Sequence, residues 1–201
     1  MAFANKQELR DNGLELIANV TGAHGIPDAL ADSELSRAVV WVSRHVPRIV
    51  IDATFDGTGS AYQFALSGLT VAWVNGFSRL RWVEHPIGEQ SRQFVDESSY
   101  ELFPDPDAPT HLHFSGITPE SGTNNIRICY TIPHTVDDTS STVPDDKEPG
   151  FEYAYAGALC RAYALKYGHS VDNVIQGDSV DHAGKSGQWL TLASSLIGTA
   201  S

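Results

Sequence analysis

The sequence predicts an α+β protein in which helices at both ends of the chain frame an antiparallel, β-rich insertion. Three observations carry this. Apolar residues between 35 and 46 recur at helical spacing, short runs of β-branched and aromatic residues replace that period from residue 48, and a long stretch of small and aromatic residues restores it from residue 151. The 201 residues, 41% of them hydrophobic, suffice for a sizeable core without disulfide or metal staples. The expected partition is a helical framework of residues 1–47 and 151–201, a β-rich insertion of 48–133 and a polar linker of 134–150.

Residues 6–20 place Leu9, Leu14, Ile17 and Val20 at roughly helical spacing, with Gly13 as a weak point because glycine costs a helix interior about 1 kcal/mol relative to alanine. Asp32 and Ser33 then precede Leu35, Ala38, Val39, Val42 and Val46, a one-sided stripe behind an N-cap residue. Pro47 ends that helix by pushing its predecessor out of the α region.

The runs RIVIDATF, YQFALSG, FSRLRWVEHP, YELF, THLHFSG and NNIRICYTI read as strands of one compact antiparallel sheet. Asp56-Gly57-Thr58-Gly59 suits a hairpin between the first two strands, and residues 120–124 suit one between the last two. In the last run Ile126, Ile128 and Tyr130 share one face and Arg127 and Cys129 the other, the pattern of a half-buried strand.

Residues 134–150, HTVDDTSSTVPDDKEPG, are polar and proline-bounded, which predicts a surface linker. In the following helix Tyr155, Ala158, Leu159, Ala162, Tyr163 and Leu165 form a broad close-packing stripe that Gly168 terminates. A weaker helical run over 181–197 carries Trp189, Leu190, Leu192 and Leu196.

Thirteen basic against 25 acidic residues give a formal charge of −12, which excludes adhesion to nucleic acid by bulk electrostatics. The surplus sits in residues 84–152, which hold 14 acidic and 3 basic side chains. The first twenty residues lack a basic run followed by an unbroken apolar core, and no window approaches a spanning helix, so assembly in the cytosol and no membrane contact are expected. Cys129 and Cys160 are too far apart and too dissimilar in context to suggest a disulfide framework or a paired-cysteine zinc site.

Candidate chemistry is sparse. His111 and His113 share a strand face, with His134 as a conceivable third member, yet no further ligand stands at supporting spacing, and sheet-surface histidines are the simpler reading. Gly184-Lys185-Ser186 echoes the end of a phosphate-binding loop whose first glycine is replaced by Ser179. Asp137, Asp138, Asp145 and Asp146 match no calcium loop. Ser43 and His45 stand two apart on a helix and point in different directions. No catalytic residue, metal or cofactor is therefore expected, which favours a structural role over an enzyme.

The order of several segments resembles the head-tail connector (adaptor) proteins of tailed bacteriophages, in particular a group with a β-rich insertion in a helical framework. The carrying residues are Ala31-Asp32-Ser33-Glu34-Leu35-Ser36-Arg37-Ala38 and Val42-Ser43-Arg44-His45-Val46-Pro47-Arg48 at the helix end. Asn75-Gly76-Phe77-Ser78 and Val83-Glu84-His85-Pro86-Ile87-Gly88 follow in the β region, with His85 where an aromatic residue is usual. Cys129-Tyr130-Thr131-Ile132-Pro133-His134-Thr135, Ser141-Thr142-Val143-Pro144 and Asp178-Ser179-Val180-Asp181-His182-Ala183-Gly184-Lys185-Ser186 complete the series, which spans most of residues 30–190.

The resemblance implies a virion protein of the neck, at the head-tail junction. Such adaptors form a homo-oligomeric ring, of twelve copies, beneath the portal protein, extend the DNA channel, pass double-stranded DNA without binding it specifically, and present a platform to the next neck or tail protein. On that reading Tyr155, Leu159, Tyr163, Trp189, Leu190, Leu192 and Leu196 are the expected interface residues, since they make the two apolar helical stripes. Two alternatives stay open: a tail-completion or tail-terminator ring, and an enzyme or carbohydrate-binding module built on the β region.

Overall fold

A computed structural model of the chain describes residues 5–21, 27–88, 91–105, 108–168, 188 and 190–195. The fold is α+β, and the chain divides into two compact units: Met1–Val46 with His134–Ser201, and Pro47–Pro133.

In the first unit the helices are α1 (Lys6–Thr21), α2 (Asp28–His45) and α3 (Glu148–Gly168). Helix α2 starts four residues ahead of the expected Asp32-Ser33 cap. Pro27, in extended backbone, supplies the carbonyl that accepts from the N–H groups of Leu30 and Ala31 at 3.0 Å each, and Asp28 places a carboxylate in the first turn where the helix dipole favours it. Asp32 and Ser33 are therefore helical, with Ser33 Oγ turned back onto the Leu30 carbonyl.

Leu35, Ala38, Val39 and Val42 of α2, Leu9 and Ile17 of α1, and Phe151, Tyr155, Leu159 and Cys160 of α3 make one core. Gly13 lies where α1 packs against Tyr155 of α3. A Cβ there would stand 2.3 Å from Cδ1 of the fully buried Tyr155 ring, so the residue that weakens the helical pattern is what allows the helices to meet.

Residues 134–147 stay mostly exposed, as a polar surface segment should, but they are fastened to the helical unit. His134 and Val143 are buried, the His134 ring packs edge-on to Phe151 at 5.5 Å, and its backbone N–H donates to Ser43 Oγ at 3.0 Å. Val136 and Ser141 form an isolated bridge around a turn whose Asp137 carboxylate accepts from the N–H groups of Thr139 and Ser140 at 2.9 and 2.7 Å. After a short 3-10 turn over Asp145–Lys147, α3 begins at Glu148 rather than at residue 151. Val143 in the core and Val136 packed against it anchor this polar segment to the helical unit.

The second unit holds β1 (Arg48–Gly57), β2 (Gln63–Ala65), β3 (Leu80–Glu84), β4 (Tyr100–Phe103), β5 (His111–Phe114) and β6 (Gly122–Ile132). They form two antiparallel three-stranded sheets, ordered β1-β6-β3 and β2-β5-β4, in place of one. Neither expected hairpin exists, because β1 pairs with β6 from Arg48 opposite Ile132 to Gly57 opposite Gly122. The two glycine-rich turns instead lie side by side. Asp56 Oδ1 accepts from the Asn124 N–H at 2.5 Å, Asn125 Oδ1 from the Gly57 N–H at 2.7 Å, and the Pro119 carbonyl from the Gly59 N–H at 3.1 Å. Gly57 is required by this contact, since a Cβ would sit 1.9 Å from the Glu120 carbonyl oxygen.

The inner faces of both sheets share one core. Val50, Phe55, Val83, Ile126, Ile128 and Tyr130 face Phe64, Leu112 and Phe114, with Phe55 and Phe64 ring centroids 5.9 Å apart and Phe64 edge-on to Phe114 at 5.6 Å. Cys129 and Thr131, on the opposite face of β6, are also buried, because β6 is the central strand and its neighbours flank it on both sides.

Candidate functional site

Three of the expected interface residues, Tyr155, Leu159 and Tyr163, are buried inside the helical unit. Tyr155 and Leu159 belong to the core that α3 shares with α1 and α2, and none of the three is exposed for a neighbour to cover. Residues 190–195 are helical; Leu190 is exposed, while Leu192 and the buried Ala193 pack on the helical core. Trp189 and Leu196 lie outside the described residues, as do the loop-like Gly184-Lys185-Ser186 and the rest of the 178–186 motif.

A charged network borders the same helices. Lys6 reaches Asp32 at 3.1 Å, and the Arg10 guanidinium lies between Asp28, to which it donates a short hydrogen bond, and Asp32 at 4.0 Å. The hydrogen bond it donates to Asp28 raises Arg10 above its ordinary value against the opposing effect of burial. Tyr155 lies next to this network, its hydroxyl buried with no hydrogen-bond partner among the described residues. Burial holds its phenol neutral well above the usual range, with Arg10 opposing and Asp32, Asp11 and Glu34 reinforcing the shift.

The remaining candidates fall apart on geometry. Ser43 Oγ donates to the Val39 carbonyl at 2.6 Å, whereas His45 Nδ1 lies 2.9 Å from the Trp41 carbonyl, so nucleophile and base are engaged separately. Asp137 is occupied in its turn. His111 and His113 do share a face of β5, while His134 belongs to the helical unit. Among the described residues no group of three His, Cys, Asp or Glu side chains is placed to hold a metal ion, and no helix is long and apolar enough to cross a membrane.

What the β unit offers is two outer faces. On the first sheet, Ile49 and Ile51 of edge strand β1 point away from the core at 55% and 57% exposure, beside Cys129, Thr131 and Trp82. Phe94 caps the row, edge-on to Trp82 at 5.4 Å and itself 55% exposed, and exposed Arg81 lies near Cys129. Glu84, almost fully buried, is paired with Arg127 at 2.9 Å. On the second sheet the outward residues are Gln63 and Ala65 of β2, His111 and His113 of β5, and Glu101 and Phe103 of β4. Tyr62 and Phe103, both about half exposed, flank the His113 ring at 6.3 and 6.4 Å.

Sequence reasoning passed over these faces. The signal was present in β1, where Ile49 and Ile51 alternate with Val50 and Asp52, which makes a strand apolar on the side away from its own core.

No protein-family model matches the chain, and no curated protein matches it in sequence. Among solved structures, one chain of a structure titled "Neck of empty GTA particle computed with C6 symmetry" is similar at 16% identity and a TM-score of 0.32, over 88% of this chain and 87% of that chain.

Proposed function

We propose that this chain is a structural protein of a phage-type neck: a head-to-tail adaptor that forms a ring beneath a portal, extends the DNA channel and joins capsid to tail, without catalysis, metal or cofactor. The observation that carries the reading is the order of its segments. The adaptor-like motifs run in sequence from the first half of α2, through the β unit and the segment ahead of α3, to residues 178–186, and a β unit interrupts a helical unit between α2 and α3.

The charge supports it. A net charge of −12 per copy gives a ring a strongly negative surface that repels a passing duplex and keeps it from adhering. The exposed apolar residues of the β unit suit a protein whose working state is an assembly, because lone soluble domains seldom leave such rows uncovered.

The test is capture of the purified full chain on immobilised portal protein and, separately, on tail-tube protein, both taken from the reading frames that accompany this one. Binding to portal is expected. Binding to tail tube alone would make the chain a tail terminator, and stoichiometric zinc lost on His111→Ala/His113→Ala would move it to the enzyme class.

A further inference from the structure

We infer that neighbouring copies in the ring meet sheet to sheet, the outer face of β1-β6-β3 on one copy seated against the outer face of β2-β5-β4 on the next. This rests on the ring reading above and names the surface that makes the ring.

The two sheets share one core through their inner faces, so their outer faces point away from each other on opposite sides of the same unit. Each carries large apolar side chains that the unit leaves in water: Ile49, Ile51 and Phe94 on one side, Tyr62 and Phe103 on the other. Ile49 and Ile51 of one face against the Tyr62 and Phe103 rings of the other bury well, and aromatic anchors are what interface cores favour.

Charge selects the pairing. Arg81 is exposed beside the first row and Glu101 is exposed within the second, and neither has an ion-pair partner among the described residues. A first face against its own copy leaves each Arg81 without Glu101, and a second against its own copy leaves each Glu101 without Arg81. First against second lets the two meet. A contact between different faces of one molecule is heterologous, so it repeats from copy to copy and generates a ring when the rotation closes. The occupant of each face is therefore the next copy of this chain.

The test is disulfide trapping of the full chain carrying Ile49→Cys and Phe103→Cys together, oxidised at millimolar protein, with each single variant and the wild type beside it. Wild type is a clean control because Cys129 and Cys160 are both buried. The double variant is expected to give a ladder of covalent multimers, and the single variants none. Dimers from Ile49→Cys alone would overturn the inference in favour of a two-fold contact. A wild type that is oligomeric by mass at the same concentration, with no ladder, would place the ring contact elsewhere and leave the neck reading standing. A wild type that stays monomeric at this concentration, with no ladder, would overturn the inference and leave the neck reading to be decided by portal capture. As a second measurement, Arg81→Glu and Glu101→Arg should each weaken self-association about tenfold, and the two together should restore it; failure of the double exchange to restore it would also overturn the inference.

Discussion

Gly13 shows how one residue carries opposite meanings at two levels. In the sequence it is a flaw in a helix, and in the fold it is the gap through which the Tyr155 ring passes. Gly13→Ala gains helix propensity of about 1 kcal/mol but forces a methyl group into a buried ring that has nowhere to go, and overpacking of that kind costs about 1–3 kcal/mol. We expect a net loss of stability, read as a lower denaturant midpoint at unchanged slope. Ionisation of the buried phenols and thiol gives a second residue-level expectation. Tyr130 donates its hydroxyl hydrogen bond to the Val71 carbonyl and is pushed up to about 12, first by burial and then by the Asp52 carboxylate, with Val71 and Arg48 opposing. Burial likewise pushes the Cys160 thiol up to about 12 and raises Tyr155 further. In each case the fold favours the protonated form, so the stabilisation is complete below the ordinary values near 9 to 10 and is lost as pH rises through about 12. Stability should therefore fall above about pH 9, and in a tyrosinate absorbance titration Tyr130 and Tyr155 should ionise at higher pH than the exposed tyrosines.

At the level of elements, the strands were legible from their alternation, whereas their partners were not. Alternation records which residues face a core, and it is silent on which strand lies alongside. The turn-forming residues 56–59 and 120–124 invited local hairpins, but the long β1 and β6 match each other over most of their length and draw the two turns together. Asn125 is the clasp, accepting from the Gly57 N–H and donating to the Glu120 carbonyl at 2.8 Å. Asn125→Ala should cost about 1–3 kcal/mol, since it strips a partner from backbone groups at a crowded junction, and amide exchange at Gly57 should accelerate more than in the rest of β1. The fastening of segment 134–147 was illegible for a related reason. Its composition accounts for its exposed residues, whereas the contacts of His134 with Phe151 and Ser43 join residues distant in sequence. Tyr155, Leu159 and Tyr163 were rightly recognised as a packing stripe, but periodicity cannot say whether the partner is the same chain or another.

On the scale of the molecule, the change of period at Pro47 marks where one unit gives way to the other. The β unit begins and ends on adjacent strands, Arg48 opposite Ile132, so its two ends are close together, and its core is drawn from its own strands. Residues 47–133 expressed alone should therefore fold and unfold cooperatively with a near-ultraviolet circular dichroism signal, as expected of an insertion with its own core; a featureless signal would show that the unit depends on the helices. On the proposed reading, the uncovered rows on both sheets serve a protein that works as one of many. Native mass measurement of the full chain mixed with purified portal tests this most directly. The account predicts a discrete complex carrying a full ring of copies on each portal assembly, twelve if the adaptor resemblance holds in detail. A chain that stays monomeric and unbound beside an intact portal would contradict it.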